Sequence, residues 1–212
     1  NFYHIDSGDQ FPETRMIMDR IRQDVRVEVI RSDAWKTRSE FGYPSDLVPT
    51  DNTPLGRMVS GEHSKLIDRY ECCARTIMLP MHERMKADGI TLLVRGQRDS
   101  DYHVPPLRSG ESSDGLEVLY PIQHWSGDDV ERYLRENGLP VADFYPEGMK
   151  RASDCMHCTA WWDDGRAQYL KKFHPEAHSK LIGMLASVKD EISRQYFWLA
   201  NELGEIPVEE QP

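Results

Sequence analysis

Apolar and polar positions along this chain follow two rhythms, a strand-like period of two and a helix-like period of three to four. The opening Asn1-Phe2-Tyr3-His4-Ile5-Asp6 is β-prone and stops at Ser7-Gly8-Asp9, a turn or anion-nest composition. Pro12 suits the first turn of a helix, Glu13 favours its dipole, and Met16, Ile17 and Ile21 give it an apolar stripe. Arg26-Val27-Glu28-Val29-Ile30 then alternates as a strand, so a βαβ unit and a parallel sheet are predicted. From Asp33 to Gly61 the rhythm dissolves into Pro, Gly, Ser and Asp, which predicts a long functional or mobile loop. A helix is predicted from Ser64 to Lys86, kinked or broken by Pro80. Strands are predicted at Thr91–Arg95 and Leu116–Ile122, with a Gly/Ser/Asp-rich loop at Ser109–Gly115 between them. Ser126 and Asp129 form a capping-box-like start for a helix through Leu134, closed by Gly138. Pro175 opens the last helix, Leu181, Leu185, Val188, Ile192, Tyr196 and Leu199 step along one face, and Gly204 ends it. The polar tail from Glu205 is expected to fray.

At 212 residues the chain is long enough for one well-packed α/β domain, or for one domain with an appendage. No apolar run approaches the roughly 20 residues that span a bilayer, and no signal-peptide pattern opens the sequence. A cytoplasmic protein without a membrane partner is the expectation. The net charge of −10 argues against general adhesion to nucleic acid or anionic membrane. It leaves room for an anionic small molecule, because a few arginines in one cleft outweigh distant carboxylates.

The cysteines change the picture. Four cysteines without a secretion signal do not read as a disulfide framework; in a reducing cytosol such a set binds metal or does chemistry. Cys72 and Cys73 are adjacent, and Cys155 and Cys158 form a C-x-x-C loop that turns two thiolates toward one centre. Adjacent side chains diverge by about 100° on a helix, which suits two irons of a cubane better than one tetrahedral zinc. The spacing favours a [4Fe–4S] cluster. Structural zinc, a redox disulfide at Cys155 and Cys158, and unrelated buried thiols are the competing readings, with His157 as a spacer or a further ligand.

Several segments, in order, carry a family resemblance. His4-Ile5-Asp6-Ser7-Gly8-Asp9-Gln10-Phe11-Pro12-Glu13-Thr14 resembles the "DTG…FPET" signature of the sulfonucleotide reductases, the adenylyl-sulfate and phosphoadenylyl-sulfate reductases of the PP-loop, adenine-nucleotide α-hydrolase-like superfamily. Cys72-Cys73 followed by Pro80 resembles that family's CC-plus-proline element, and Leu93–Ser100 its strand-then-arginine loop. Tyr120-Pro121-Ile122-Gln123-His124-Trp125, with Asp129-Val130 and Tyr133-Leu134, is similar to its "P-I-x-x-W…DV…YL" stretch. Cys155-Met156-His157-Cys158-Thr159 matches the C-x-x-C-T of the cluster-bearing branch. The resemblance implies a Rossmann-like, mostly parallel sheet flanked by helices, with the long C-terminal helix beside it. It implies a domain over residues 1–174 followed by the helix and tail at 175–212. It also implies a [4Fe–4S] cluster on Cys72, Cys73, Cys155 and Cys158, and an adenine nucleotide at the carboxyl ends of the strands. Asp6, Ser7 and Gly8 would border that nucleotide, Gly96 would let the backbone approach, Arg98 would be the anion clamp and Arg108 a second one.

The sequence also departs from the family pattern. An S-G-G-x-D-S-like PP-loop on a first strand is not present in it, and no cysteine follows Cys158 where the reductases carry an E-C-G-L-H-like nucleophile. Thr76-Ile77 stands where a basic pair follows the CC element, with Arg75 as the nearest cation. Trp161-Trp162 follows the C-x-x-C loop and reads as cluster shielding or as ordinary packing. The resemblance therefore implies a reductase-like oxidoreductase acting on adenylyl sulfate or phosphoadenylyl sulfate, with a thiol donor such as thioredoxin and with standard turnover unexpected. The alternatives are a PP-loop ATP pyrophosphatase of the DNA-phosphorothioation type, for which nucleic acid would be a partner, and a non-catalytic iron–sulfur nucleotide-binding module.

Overall fold

A computed structural model describes residues 1–101, 105–151 and 154–205. The chain divides into two compact units, residues 1–80 with 143–212, and residues 81–142. It is an α/β protein of parallel strand pairs flanked by helices. The tail beyond Glu205 lies outside the described residues.

In the first unit, β1 (Phe2–Asp6), α1 (Pro12–Asp24) and β2 (Val27–Arg31) form the expected βαβ unit, paired in parallel from Phe2↔Val27 to Asp6↔Arg31. The stretch expected to be one long loop instead holds α2 (Ala34–Phe41), β3 (Tyr43–Ser45), a 3₁₀ turn at Thr50–Asn52 and α3 (Pro54–Val59). Capping side chains supply what hydrophobic periodicity does not: Asp33 accepts from Lys36 N at 2.9 Å, and Thr53 Oγ1 accepts from Gly56 N at 3.0 Å. Asn52 then pins the region, its buried amide donating to the carbonyls of Phe41 at 2.7 Å and Ser64 at 2.8 Å.

The helix expected from Ser64 starts later, because Leu66–Asp68 is strand β4, parallel to β3. Asp68 caps α4 (Arg69–Cys73), accepting from Tyr70 N at 2.8 Å and Glu71 N at 3.0 Å. A π-turn at Ala74–Met78 leads into α5 (Leu79–Ala87). Pro80 lacks the N–H that would bond Thr76 O, and the chain answers by widening one turn, with Leu79 N donating to Ala74 O.

The second unit holds β5 (Leu92–Val94), β6 (Ser112–Ser113), β7 (Leu116–Leu119) and α6 (Gly127–Glu136). β5 and β7 run parallel, while β6 and β7 form a hairpin through Asp114 and Gly115, both at positive φ. The capping box read from Ser126 and Asp129 is present in full.

The chain closes, in the first unit, with α7 (Arg166–Phe173) and α8 (Pro175–Glu202). The core there is built on Phe11, Leu66, Ile67, Leu170, Leu181 and Val188, all fully or almost fully buried. Phe11 meets Phe144 at 5.4 Å and Tyr169 edge-on at 6.1 Å between ring centroids. The apolar stripe of α8 is buried at Leu181 and Val188 but exposed at Tyr196 and Leu199. Among the described residues no helix is long and apolar enough to cross a membrane.

Candidate functional site

Two loops meet at the carboxyl end of β1. Asp6 Oδ1 accepts from Gly8 N at 3.0 Å, closing a tight turn in which Gly8 takes φ +74° and stays exposed. Ser7 is fully buried, and its carbonyl accepts from Ala34 N at the start of α2. Asp9 then grips the C-x-x-C loop by main chain and side chain together. Its carbonyl accepts from Met156 N at 2.6 Å, and its carboxylate from His157 N at 3.1 Å and His157 Nδ1 at 2.6 Å. Arg38 of α2 completes the buried cluster, its Nη1 2.7 Å from Asp9 Oδ2. Burial disfavours the charged form of Asp9, but the His157 hydrogen bond and the Arg38 charge outweigh it and hold the carboxyl below its ordinary range.

The thiols gather around this brace. Cys155 Sγ lies 3.5 Å from Ser7 Oγ, which accepts its hydrogen bond. Cys72 and Cys73 arrive on α4, and a hydrogen bond ties Thr76 to Cys72 while Thr76 Oγ1 donates to Thr37 Oγ1 at 3.2 Å. All four cysteines are thiols rather than disulfides. Burial pushes the Cys72 thiol up to about 11, with Cys158 adding to the rise and Arg38 opposing it. Burial likewise pushes Cys155 up to about 12, against the Arg38 charge. Cys73 is driven higher still, by burial first and then by Cys158, Cys72 and Cys155. Cys72 and Cys73 therefore lie within electrostatic range of the C-x-x-C pair. Any metal taken up there must displace their protons. Among the described residues no group of three or more His, Cys, Asp or Glu converges on a single-ion site.

The segment after Cys158 is anchored just as firmly. Thr159 Oγ1 donates to Pro44 O at 2.6 Å, and Arg166 bonds both Cys158 O and Asp164. Trp161 holds φ +63°, a left-handed conformation that a bulky residue rarely adopts. Asp46 offsets the strain by accepting from Trp161 N at 3.0 Å and from Trp162 N at 3.2 Å, while pairing with Arg69 at 2.7 Å. The Arg69 guanidinium stacks 3.7 Å from the Trp161 ring centroid. A mostly apolar cavity of about 430 Å³ opens beside Cys158, walled by Trp161, Trp162, Leu181 and Val188.

In the second unit, Arg98 is ion-paired with Asp101 at 2.8 Å, and its backbone N donates to the same carboxylate. Its Nη1 lies 3.9 Å from where a Cβ on Gly127 would sit, at the start of α6. Arg108 donates its backbone N to Glu111 at 2.7 Å, and Gly96 packs near Ile122. The sequence reading missed Asp9, Arg38, Asp46 and Arg69. Asp9 lies inside the Ser7-Gly8-Asp9 turn, where the sequence assigns it no role of its own, whereas Arg38 and Asp46 fall in the stretch expected to be a loop.

Residues 1–161 match the family described as phosphoadenosine phosphosulfate reductase domain. A protein named adenosine 5'-phosphosulfate reductase from Lysinibacillus sphaericus is 30% identical over 101 residues, covering 47% of this chain and 42% of that protein. One of the same name from Deinococcus radiodurans is 24% identical over 160 residues, covering 73% and 54%. A phosphoadenosine 5'-phosphosulfate reductase from Erwinia tasmaniensis is 26% identical over 174 residues, covering 79% and 64%. The chain spans about half the length of the curated relatives it matches. A crystal structure of phosphoadenylyl-sulfate reductase from Candida auris aligns with a TM-score of 0.46 at 17% identity, covering 72% of this chain and 68% of that one.

Proposed function

This chain belongs to the phosphoadenosine phosphosulfate reductase domain family, and on that premise we propose that it is a reductase-like iron–sulfur protein that binds an adenine nucleotide. The observation that supports the reading is that Cys72 and Cys73 lie within electrostatic range of Cys155 and Cys158, whose C-x-x-C loop Asp9 holds. Four thiols in electrostatic range, with the buried Arg38 opposing the rise of Cys72 and Cys155, form a donor set whose number and type fit a [4Fe–4S] cluster. Cys72, Cys73, Cys155 and Cys158 would hold it. Bound there, the cluster would supply a compact, polarising charge centre that keeps all four thiolates deprotonated.

The chain's own residues then divide the remaining work. Asp6 and Gly8 present an open turn at the carboxyl end of β1, where α/β sheets take nucleotides, with Ser7 fixed beneath it. Asp9 and Arg38 hold the C-x-x-C loop in place. In the second unit, Arg98 is the proposed anion clamp, its fork preset by Asp101 and exchangeable for phosphate or sulfate oxygens. Gly96 gives the backbone access, and Arg108 is the proposed second cation. The four cysteines are committed to the cluster, so none of them serves as a nucleophile toward sulfur. Thiol-dependent turnover with thioredoxin or a small thiol would draw that thiolate from elsewhere.

Titration of the iron-loaded protein with adenylyl sulfate, phosphoadenylyl sulfate and ATP, followed by tryptophan fluorescence, tests the nucleotide reading. Saturable binding that Arg98→Gln weakens at least tenfold is the expected result. Absence of binding by all three would sink it. Sulfite release with a thiol donor would mark a reductase, and pyrophosphate release from ATP would move the chain to the sulfur-transfer branch.

A further inference from the structure

Arg38 is a full charge kept from water, its side chain 2% exposed. Asp9 takes its Nη1, and the guanidinium carbon lies 4.8 Å from the Trp35 ring centroid. Its Nε–H has no hydrogen-bond partner. A buried cation with an idle donor is an expensive arrangement unless an acceptor arrives. Besides Asp9, this guanidinium lies within electrostatic range of Cys155, Cys158 and Cys72. Neutral thiols are poor acceptors, whereas thiolates carrying a cluster are good ones. Asp9 meanwhile fixes the distance between the two partners, because the same carboxylate holds Arg38 and the backbone N of His157 inside the C-x-x-C loop.

We propose that Arg38 is a positioning residue of the cysteine site, braced by Asp9 so that its Nε–H donates to a sulfur on the Cys155–Cys158 side of a bound cluster. The proposal rests on the iron–sulfur reading above. Such an N–H···S bond draws charge from sulfur, weakens the iron–thiolate bond and favours the reduced cluster. A purely structural ion pair would hold the loop and leave the iron–sulfur bonds as they are.

The test compares resonance Raman spectra of reconstituted wild type, Arg38→Gln and Arg38→Lys proteins in H₂O and D₂O. Wild type should show iron–thiolate stretching bands that move on deuteration. In Arg38→Gln, which keeps a donor for Asp9 but loses the charge and Nε, those bands should move to higher frequency and lose part of their isotope sensitivity. Arg38→Lys should restore part of the band position through its charge. Identical bands and isotope shifts in fully loaded Arg38→Gln would overturn the proposal. Should Arg38→Gln fail to fold, wild-type protein labelled at arginine Nε decides alone. One Nε–H resonance shifted by the paramagnetic cluster supports the role, and a set of wholly ordinary resonances overturns it. Wild-type protein that takes up no iron overturns the iron–sulfur reading itself, and the iron count separates that failure from the other.

Discussion

Asp9→Ala is the perturbation that bears most directly on how the two cysteine pairs are held together. Asp9 is 3% exposed and accepts from Arg38 Nη1, His157 N and His157 Nδ1. Removing it strands the Arg38 charge where water cannot reach, a situation that costs about 3–5 kcal/mol in comparable buried pairs. For a chain of this length that corresponds to a drop in Tm of roughly 6–20 °C. Most of the cost is the stranded charge and not the lost attraction. Asp9→Ala/Arg38→Met should therefore recover at least about half of it, since a packed apolar replacement of the whole pair is often nearly neutral. Urea unfolding of metal-free, reduced wild type, Asp9→Ala, Arg38→Met and the double variant, followed by far-UV circular dichroism, measures all four corners of the cycle. A loss under about 1 kcal/mol for Asp9→Ala, or a double variant whose cost is the sum of the singles, would refute the brace.

Glu13 offers a pH signature. Burial raises its pKa, but hydrogen bonds from Tyr169 and His174 prevail and hold the carboxyl below its ordinary value. Its contribution is complete above the ordinary glutamate value and is lost as pH falls through the lowered folded value. Glu13→Gln should accordingly flatten the acid limb of a stability–pH profile, and an unchanged limb would contradict this. Asp46→Ala should release Trp161 from its left-handed conformation and cost about 1–3 kcal/mol, with a red shift in tryptophan emission; an unmoved spectrum counts against it. Gly42→Ala places a Cβ 2.3 Å from Lys65 O at φ +103°, so the β3–β4 pairing must shift; it should cost more than about 2 kcal/mol in denaturant unfolding, and a neutral result would contradict the packing.

The opening βαβ unit, the capping box at Ser126 and the terminal helix were legible because their signals are local: a period, a cap, a proline or a glycine. The α2-to-α3 stretch was not. Its elements are three to eight residues long, too short for a period to show, and side-chain caps and Asn52 hold them together. The cysteines were legible by type and spacing, and their grouping at one site is what the resemblance implies. Arg38 was not, because nothing local distinguishes a buried arginine on a short helix from an exposed one; only Asp9, 29 residues away, defines its role. Ser7 shows the converse. Read as a nucleotide border, it lies buried with Cys155 donating to it, one step removed from the exposed turn formed by Asp6 and Gly8.

The most direct measurement is the iron and acid-labile sulfide content of anaerobically purified protein, read beside its absorption spectrum. Roughly four irons and four sulfides per chain with a broad shoulder near about 400 nm, reduced sharply in Cys73→Ser and Cys158→Ser, is the expected result. A colourless protein that holds zinc, or no metal after reconstitution, would contradict the central claim that these four thiols are built to carry a cluster.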